Sequence, residues 1–415
     1  MLQSLLGVAV LLLVAYLCSN AKASINWRTV AGALVIQIVI AGFVLATEFG
    51  SEVLLAISNG VSSVLGYAAQ GISFVFGNLV TFQVENLGFV FAFQVLPAII
   101  FTAALVSLLH YLGIMQFFVR ILGGGLQKAI GSSKAESMNA IANTVCGQTE
   151  SPLFVKPWHP HLTKSEIFAI MVGGLASIAG SILAGLAGMG VEVKYLVMAC
   201  FMSAPAGLLF AKLMVPETEQ PVNNVPELPD DEKPTNFIDA IAKGAINGLR
   251  IAVVVGAILI ACIGLMAMVN GMLGGIGAYI GFPSLTLELI LGYAFAPVAW
   301  LIGVPWSEAT VAGAFIAQKL VLNEFVAYAG FAPYISGEAV IATTGEAMSP
   351  KSVAIMTVAL CGFANIGSVS MVVAAMGTMI PNKSGYIADV GMKVLLAATL
   401  ANLLSATVVG IFVSF

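Results

Sequence analysis

The feature that most constrains this chain is a series of apolar runs, each long enough to cross a bilayer, that recur from end to end with few charges inside them. They lie near 2–19, 30–47, 88–113, 166–189, 195–214, 246–271, 352–379 and 387–414. A helix needs roughly 20 apolar residues to cross a hydrocarbon core of about 30 Å. Backbone in lipid must also satisfy its own hydrogen bonds. The runs therefore predict an all-α polytopic membrane protein. Composition agrees: 60% of the 415 residues are hydrophobic and only 9% are charged, against about 25% charged in a soluble domain. The 43 glycines suit close helix approach and unwound backbone. The cysteines (Cys18, Cys146, Cys200, Cys262, Cys361) show no CxxC spacing and read as small hydrophobes. His159-Pro160-His161 lacks the companions of a metal centre and reads as an interface loop. No enzymatic cofactor and no nucleic-acid partner is expected.

Basic residues assign the sides. Met1-Leu2-Gln3-Ser4 carries no base, whereas Lys22 and Arg28 follow the first run. That polarity predicts a retained first span with its N-terminus outside rather than a cleaved signal peptide. Arg120, Lys128 and Lys134, then Lys212, Lys243 and Arg250, then Lys383 and Lys393, mark inner connections. Residues 48–88 hold Glu48, Glu52 and Glu85 but no Lys or Arg, and read as an outer connection. Lys194 and Lys351 are exceptions. The result is eight transmembrane helices with both termini periplasmic, in a bacterial inner membrane. Residues 115–130 are too polar to span; with Phe118, Ile121 and Leu122 on one side they predict an interfacial helix. Residues 286–304 hold the matching place later in the chain and read as an outer support segment. Residues 215–236, dense in Pro, Glu and Asp, predict a cytoplasmic linker. The organisation expected is 1–114 for the first spans and scaffold, 115–214 for a first repeat, 215–236 for the linker, 237–304 for a sixth span with its support segment, and 305–415 for a second repeat.

Two polar runs interrupt this apolar background, and each holds a lone carboxylate. One is Asn143-Thr144-Val145-Cys146-Gly147-Gln148-Thr149-Glu150-Ser151-Pro152; the other is Asn323-Glu324-Phe325-Val326-Ala327-Tyr328. A charge at membrane depth costs several kcal/mol unless it lines a cavity or finds a partner, so such residues mark transport paths. Their surroundings repeat. Phe168-Ala169-Ile170-Met171 is similar to Val353-Ala354-Ile355-Met356, and Gly174-Leu175-Ala176-Ser177-Ile178 to Gly362-Phe363-Ala364-Asn365-Ile366. Upstream, Ala135-Glu136-Ser137 pairs with Ser307-Glu308-Ala309. Each half reads as helix, polar tip, return helix and a span broken at Ser or Asn. Arms of about 14 residues are too short to cross (~1.5 Å per residue), which predicts two re-entrant hairpins. The loop charges put them on opposite sides, so the repeat is inverted, as in many secondary transporters with a midplane site.

The tips offer specific chemistry. Gly147 permits a sharp turn and Pro152 stops the helix. Gln148, Thr149 and Glu150 supply an amide, a hydroxyl and an acceptor for a neutral polar ligand. Asn143 and Thr149, with Ser177 at the facing break, are oxygen ligands of the kind hard cations take. Glu324, Asn365 and Ser368 make a clamp for vicinal hydroxyls, and Phe363 offers a face for an aromatic ring. Glu136, three residues after Ser133, fits a capping box, and Glu308 after Pro305 opens another helix. Trp158 and Trp306 read as interface anchors.

The run Gly147-Gln148-Thr149-Glu150-Ser151-Pro152-Leu153 resembles the first signature of the concentrative nucleoside transporters. Asn323-Glu324-Phe325-Val326-Ala327-Tyr328 and Cys361-Gly362-Phe363-Ala364-Asn365 resemble its second and third, and the likeness extends over nearly the whole chain. The resemblance implies a homotrimer of eight-span protomers with an elevator-like transport domain. By that likeness Gly147, Gln148, Thr149 and Glu150 contact the nucleobase, with Ile182 and Phe363 beside it, while Glu324, Asn365 and Ser368 hold the ribose. A sodium ion is implied at the side chains of Asn143, Thr149 and Ser177 and the carbonyls of Cys146 and Ile178. The expected activity is sodium-coupled nucleoside symport. A potential of 100 mV supplies about 2.3 kcal/mol per ion and a tenfold gradient about 1.4 kcal/mol more. The alternatives are a proton-coupled nucleoside carrier and, more remotely, an intramembrane hydrolase built on the two acids.

Overall fold

The computed structural model describes residues 2–80, 90–222, 234–279, 281–282, 284–342 and 344–413. Glu85 and most of the acidic linker, including Glu227, Asp230, Asp231 and Glu232, lie outside the described residues. In chain order the helices are α1 (Leu2–Leu17), α2 (Trp27–Ala46), α3 (Glu48–Phe76), α4 (Phe91–Gln94), α5 (Leu96–Tyr111), α6 (Ile114–Ile130), α7 (Lys134–Ala142), α8 (Lys164–Ala176), α9 (Gly180–Gly188) and α10 (Val193–Met214). Then follow α11 (Phe237–Tyr279), α12 (Leu287–Leu301), α13 (Trp306–Val321), α14 (Glu324–Ile335), α15 (Pro350–Leu360), α16 (Ile366–Met379), α17 (Ser384–Asp389) and α18 (Gly391–Phe412).

The eight expected spans fall on α1, α2, α4–α5, the broken α8–α9, α10, α11, the broken α15–α16, and α18; of these, α2, α4–α5, α10, α11 and α18 are long and apolar enough to cross a membrane as they stand. Residues 48–76, expected as an outer connection, form instead the single 29-residue helix α3. Length and composition would let α3 cross a membrane. Its apolar residues are interrupted by Ser51, Glu52, Ser58, Asn59, Ser62, Ser63, Gln70 and Ser73, so no span-length run stood out. Its buried residues Gly50, Leu54, Ser58 and Ala68 recur at helical spacing along one stripe, which packs against α2, α5 and α10.

Burial is deepest where α8, α10, α15 and α18 meet; most residues of α10 and α18 are buried. Around them α11 runs against α5, and α12 against α13. Small residues set these approaches. A Cβ on Gly248 of α11 would fall 2.7 Å from the Ile100 Cα, and one on Gly313 would fall 2.7 Å from the Ala296 nitrogen. Residues 286–304, expected as an outer support segment, form α12, which packs along the second hairpin and turns 113° into α13. The helix α6 buries Met115, Val119, Gly123, Leu126 and Ile130 and exposes Phe117, Phe118, Ile121 and Leu122, as an interfacial helix would.

The first hairpin is α7, the tip at 143–150, and a tight 3-10 segment, Ser151–His161, kinked at Val155. Its return arm is more compact than the expected α-helix, because Pro152, Pro157 and Pro160 deny the α hydrogen-bond pattern. The second hairpin is α13, a short tip at Leu322 and Asn323, and α14. Reciprocal caps start α7 (Ser133 with Glu136) and α8 (Thr163 with Glu166). Glu136 does more than cap: it also pairs with the ammonium of Lys212 near the end of α10. That ammonium donates as well to Ser165 Oγ at 2.8 Å and Glu217 Oε2 at 3.2 Å. Glu308 accepts from the Ser349 backbone and hydroxyl at 3.2 and 3.1 Å, tying the start of α13 to the start of α15. Trp306 is exposed as an interface anchor would be, whereas Trp158 is buried with Lys134 over its ring. His159 is buried in the return arm, its Nε2 paired with the Pro152 carbonyl at 2.9 Å.

Candidate functional site

The two breaks lie side by side. Phe363 in the α15–α16 break donates its backbone N–H to the Ser177 carbonyl in the α8–α9 break at 3.1 Å. Breaking a helix leaves free carbonyls at the end of one half and free N–H groups at the start of the next. The second half of the later span is capped from within: Asn365 Oδ1 accepts from the Ser368 nitrogen at 2.8 Å, opening α16, whereas α9 starts after Ala179 without a side-chain cap. The first tip joins the same layer through the Gly180 N–H, which donates to the Val145 carbonyl at 2.8 Å. Inherited from opposite halves of the chain, both tips and both breaks thus converge.

On the second-hairpin side, Glu324 is buried at the first position of α14, where the helix N-terminus favours an anion. Asn365 Nδ2 donates to its Oε2 at 3.0 Å. Ser368 is buried one turn into α16, and Phe363 is buried in the break. The clamp of Glu324, Asn365 and Ser368 is therefore assembled, with its acid already fixed by an amide. The Tyr328 hydroxyl, one turn on, donates to the Thr357 carbonyl at 2.6 Å and fastens α14 to α15.

On the first-hairpin side, Gln148 is buried against α8, where Gly174 makes room: a Cβ there would lie 3.1 Å from the Gln148 Cβ. The Gln148 Oε1 and the Asn143 Nδ2 are buried without a protein partner, as polar groups awaiting a ligand would be. Thr149 is exposed and Glu150 half-buried. Ile182 is buried at the start of α9, beyond the break. Of the oxygen set, Asn143, Cys146, Ser177 and Ile178 are all buried around the first tip and break. Their side-chain oxygens are engaged within the protein: Ser151 donates to Asn143 Oδ1 at 2.5 Å, and the Ser177 hydroxyl donates to the Gly173 carbonyl at 3.1 Å. Ser151 is thus a member of the tip that the sequence reading did not assign.

Three more residues escaped it. Asn247 of α11 donates to Glu150 Oε1 at 2.7 Å, so the first tip acid is held from a different helix group. Asn402 in α18 donates its Nδ2 to the Ala176 carbonyl at 2.6 Å and to the Cys361 carbonyl at 3.3 Å, the ends of both broken helices. Lys319 near the end of α13 donates to Asn402 Oδ1 at 2.6 Å and to the Ala359 carbonyl at 2.9 Å. Lys319 and Asn402 were visible as polar residues inside apolar segments; their partners were not.

Opposed hairpins, facing broken spans and a buried polar centre define the class: a membrane transporter built on an inverted repeat. The comparisons give the family. Residues 6–79 and 195–410 match the profiles described as the N-terminus and C-terminus of the Na+ dependent nucleoside transporter, and 92–192 match one described as nucleoside recognition. The nucleoside permease NupC of Helicobacter pylori is 44% identical across 99% of this chain and 98% of its own. The solved structure of CNTnw in an inward-facing substrate-bound state is 49% identical, with TM-score 0.94 over 100% of this chain and 98% of its own. An outward-facing state of CNTnw gives TM-score 0.96 at 49% identity, over 100% and 98% of the two chains. This chain belongs to the Na+ dependent nucleoside transporter family. It is a multi-pass membrane transporter and not an enzyme, which removes the hydrolase reading.

Proposed function

We propose that the chain is a sodium-coupled nucleoside symporter of the bacterial inner membrane, acting as a homotrimer by an elevator-type alternating-access mechanism. The observation that carries this is the convergence of both tips and both breaks on one polar layer, joined by the Phe363–Ser177 backbone bond. In this reading Gly147, Gln148, Thr149 and Glu150 bind the nucleobase between Ile182 and Phe363. The mixed edge of a base then satisfies the orphan amide oxygen of Gln148. Glu324, Asn365 and Ser368 hold the vicinal ribose hydroxyls, each bond to the carboxylate being charge-assisted. No basic side chain stands among these residues, which disfavours a phosphorylated substrate. Sodium takes the side chains of Asn143, Thr149 and Ser177 with the carbonyls of Cys146 and Ile178. The ion can share these oxygens with their present partners: the Ser177 hydroxyl donates to Gly173 and Asn143 Oδ1 accepts one bond, so each oxygen keeps a lone pair.

The elevator assigns residues 1–114 and the long helix α11 to a fixed scaffold, and 115–214 and 305–415 to two repeats whose hairpins and broken spans travel together, with α12 carried along by its packing against α13. Both termini face the periplasm. Under this division the Asn247–Glu150 bond crosses from scaffold to moving unit, and so is made at one end of the stroke only. The test is uptake of uridine and adenosine into proteoliposomes with and without an inward sodium gradient. Gradient-driven accumulation is expected; lack of sodium-dependent uptake for every nucleoside tried would sink the coupling. Uptake that persists without sodium and collapses with a protonophore would establish proton coupling instead.

A further inference from the structure

The two tips differ in one respect that their symmetry does not require. Each opens its return arm with a carboxylate, Glu150 or Glu324. Between Lys134 and Glu150 the first arm and tip carry no cation beyond Lys134 itself, at the far end of α7. The second arm carries Lys319 in its last turn, close to the tip. Lys319 and Glu324 are both buried, at 4% exposure each. They stand on the two arms of one tip, five positions apart, yet no direct hydrogen bond or ion pair joins them among the described residues. The ammonium instead sits at the C-terminal end of α15 on the Ala359 carbonyl, where the helix dipole favours a cation. Asn402 then carries the contact across to the end of α8. The arrangement leaves no room for a side chain at the break: a Cβ on Gly362 would lie 2.4 Å from Asn402 Oδ1.

A buried carboxylate without a compensating charge is costly, and it either neutralises or draws a cation. Glu150 is only half-buried and has no cation on its own arm near the tip; its donors are the Asn247 amide and the Gly147 N–H. We propose that the Lys319 ammonium is a covalently attached counter-cation for Glu324, doing in the second repeat what an exchangeable sodium ion does in the first. Each tip acid is then balanced by one positive charge, and only one of the two charges is taken up and released with substrate. This rests on the assignment of sodium to the first tip. It makes Lys319 a positioning residue: it touches no substrate and acts through Glu324, Asn402 and the breaks.

The test compares the full-length wild type with Lys319→Met and with the Lys319→Met/Glu324→Gln double variant, reading uridine binding against sodium concentration and pH. The titratable groups around Glu324 are Lys319 of α13, Tyr328 of its own helix, Cys361 of the α15 break and Cys200 of α10. The helix α11 also touches α14 and carries its charges, Asp239, Lys243 and Arg250, in its first half. Lys319→Met is expected to demand a second cation. Either the sodium response steepens from a Hill coefficient of about one towards two, or uridine affinity rises about tenfold from pH 8 to pH 6 where the wild type is flat. The double variant should lose both changes even though its uridine affinity is low. Misfolding of Lys319→Met that is rescued in the double variant would support the proposal equally. A folded Lys319→Met with wild-type sodium and pH responses would overturn it, and so would misfolding of both variants, which would make Lys319 a packing strut. Should the wild type bind uridine without regard to sodium, the sodium assignment fails by itself, while the pH comparison of the two variants still decides the charge pairing.

Discussion

At the scale of single residues, the second-hairpin side of the polar centre is fixed before a ligand arrives, whereas Gln148 on the first-hairpin side keeps an unpartnered amide oxygen. Glu324 is held at 3.0 Å by Asn365, and so presents a pre-aimed carboxylate edge. Losing a hydrogen bond to a charged group costs about 1.5–3 kcal/mol, so Glu324→Gln is expected to weaken uridine binding roughly 10- to 100-fold. A 2′,3′-dideoxynucleoside should suffer much less; equal losses in isothermal titration would remove the ribose assignment. Gly362→Ala drives a methyl group into Asn402 and should destabilise the protein by about 1–3 kcal/mol, the cost of overpacking. The melting temperature of detergent-solubilised protein reads this, and an unchanged value would contradict the close approach of Asn402 to the break. The sequence displayed Gln148, Glu150, Glu324 and Asn365 because polar groups stand out against lipid-facing composition. It displayed Lys319 and Asn402 by the same rule. What it could not display was that the Asn402 amide meets the Ala176 carbonyl 226 positions away.

At the scale of elements, the hairpins depend on their ends. The Ser133 cap on α7 is worth about 1 kcal/mol by analogy with other N-caps, whereas the Lys212 ammonium ties α7, α8 and the 215–219 stretch together. Lys212→Met would strand Glu136 as an uncompensated buried charge, a loss of about 3–5 kcal/mol. It should therefore lower the melting temperature far more than Ser133→Ala does, and similar shifts for the two variants would contradict the buried pair. The capping box of Ser133 with Glu136 was legible as a local spacing; Thr163 with Glu166 has the same spacing and emerged only in the structure. The helix α3 was not. Its apolar stripe is broken by serine and asparagine in sequence, and becomes continuous only when wound at 3.6 residues per turn against α2, α5 and α10. The return arm of the first hairpin was anticipated as an element, but three prolines determined its tighter form.

At the scale of the whole molecule, two groups of helices meet across the first tip. Asn247 on α11 lies outside both hairpins and both broken spans, yet it bonds to a tip acid, at 2.7 Å from Glu150. Asn247→Ala should release that hold and shift the population away from the arrangement seen here. Distances between spin labels on α11 and α16, measured by pulsed electron resonance in lipid, would show a new or enlarged second population; an unchanged distribution would count against a state-specific contact. By itself the sequence determined the membrane class, the inverted repeat, the family and most of the polar residues at the tips. It could do so because lipid penalises every unpaired polar group and so sharpens the pattern that a chain must carry. Only the tertiary structure decided the partners: which carbonyl each amide caps, which ammonium balances which acid, and which helix holds Glu150. Those pairings join residues tens to hundreds of positions apart, and nothing in a local spacing records the choice.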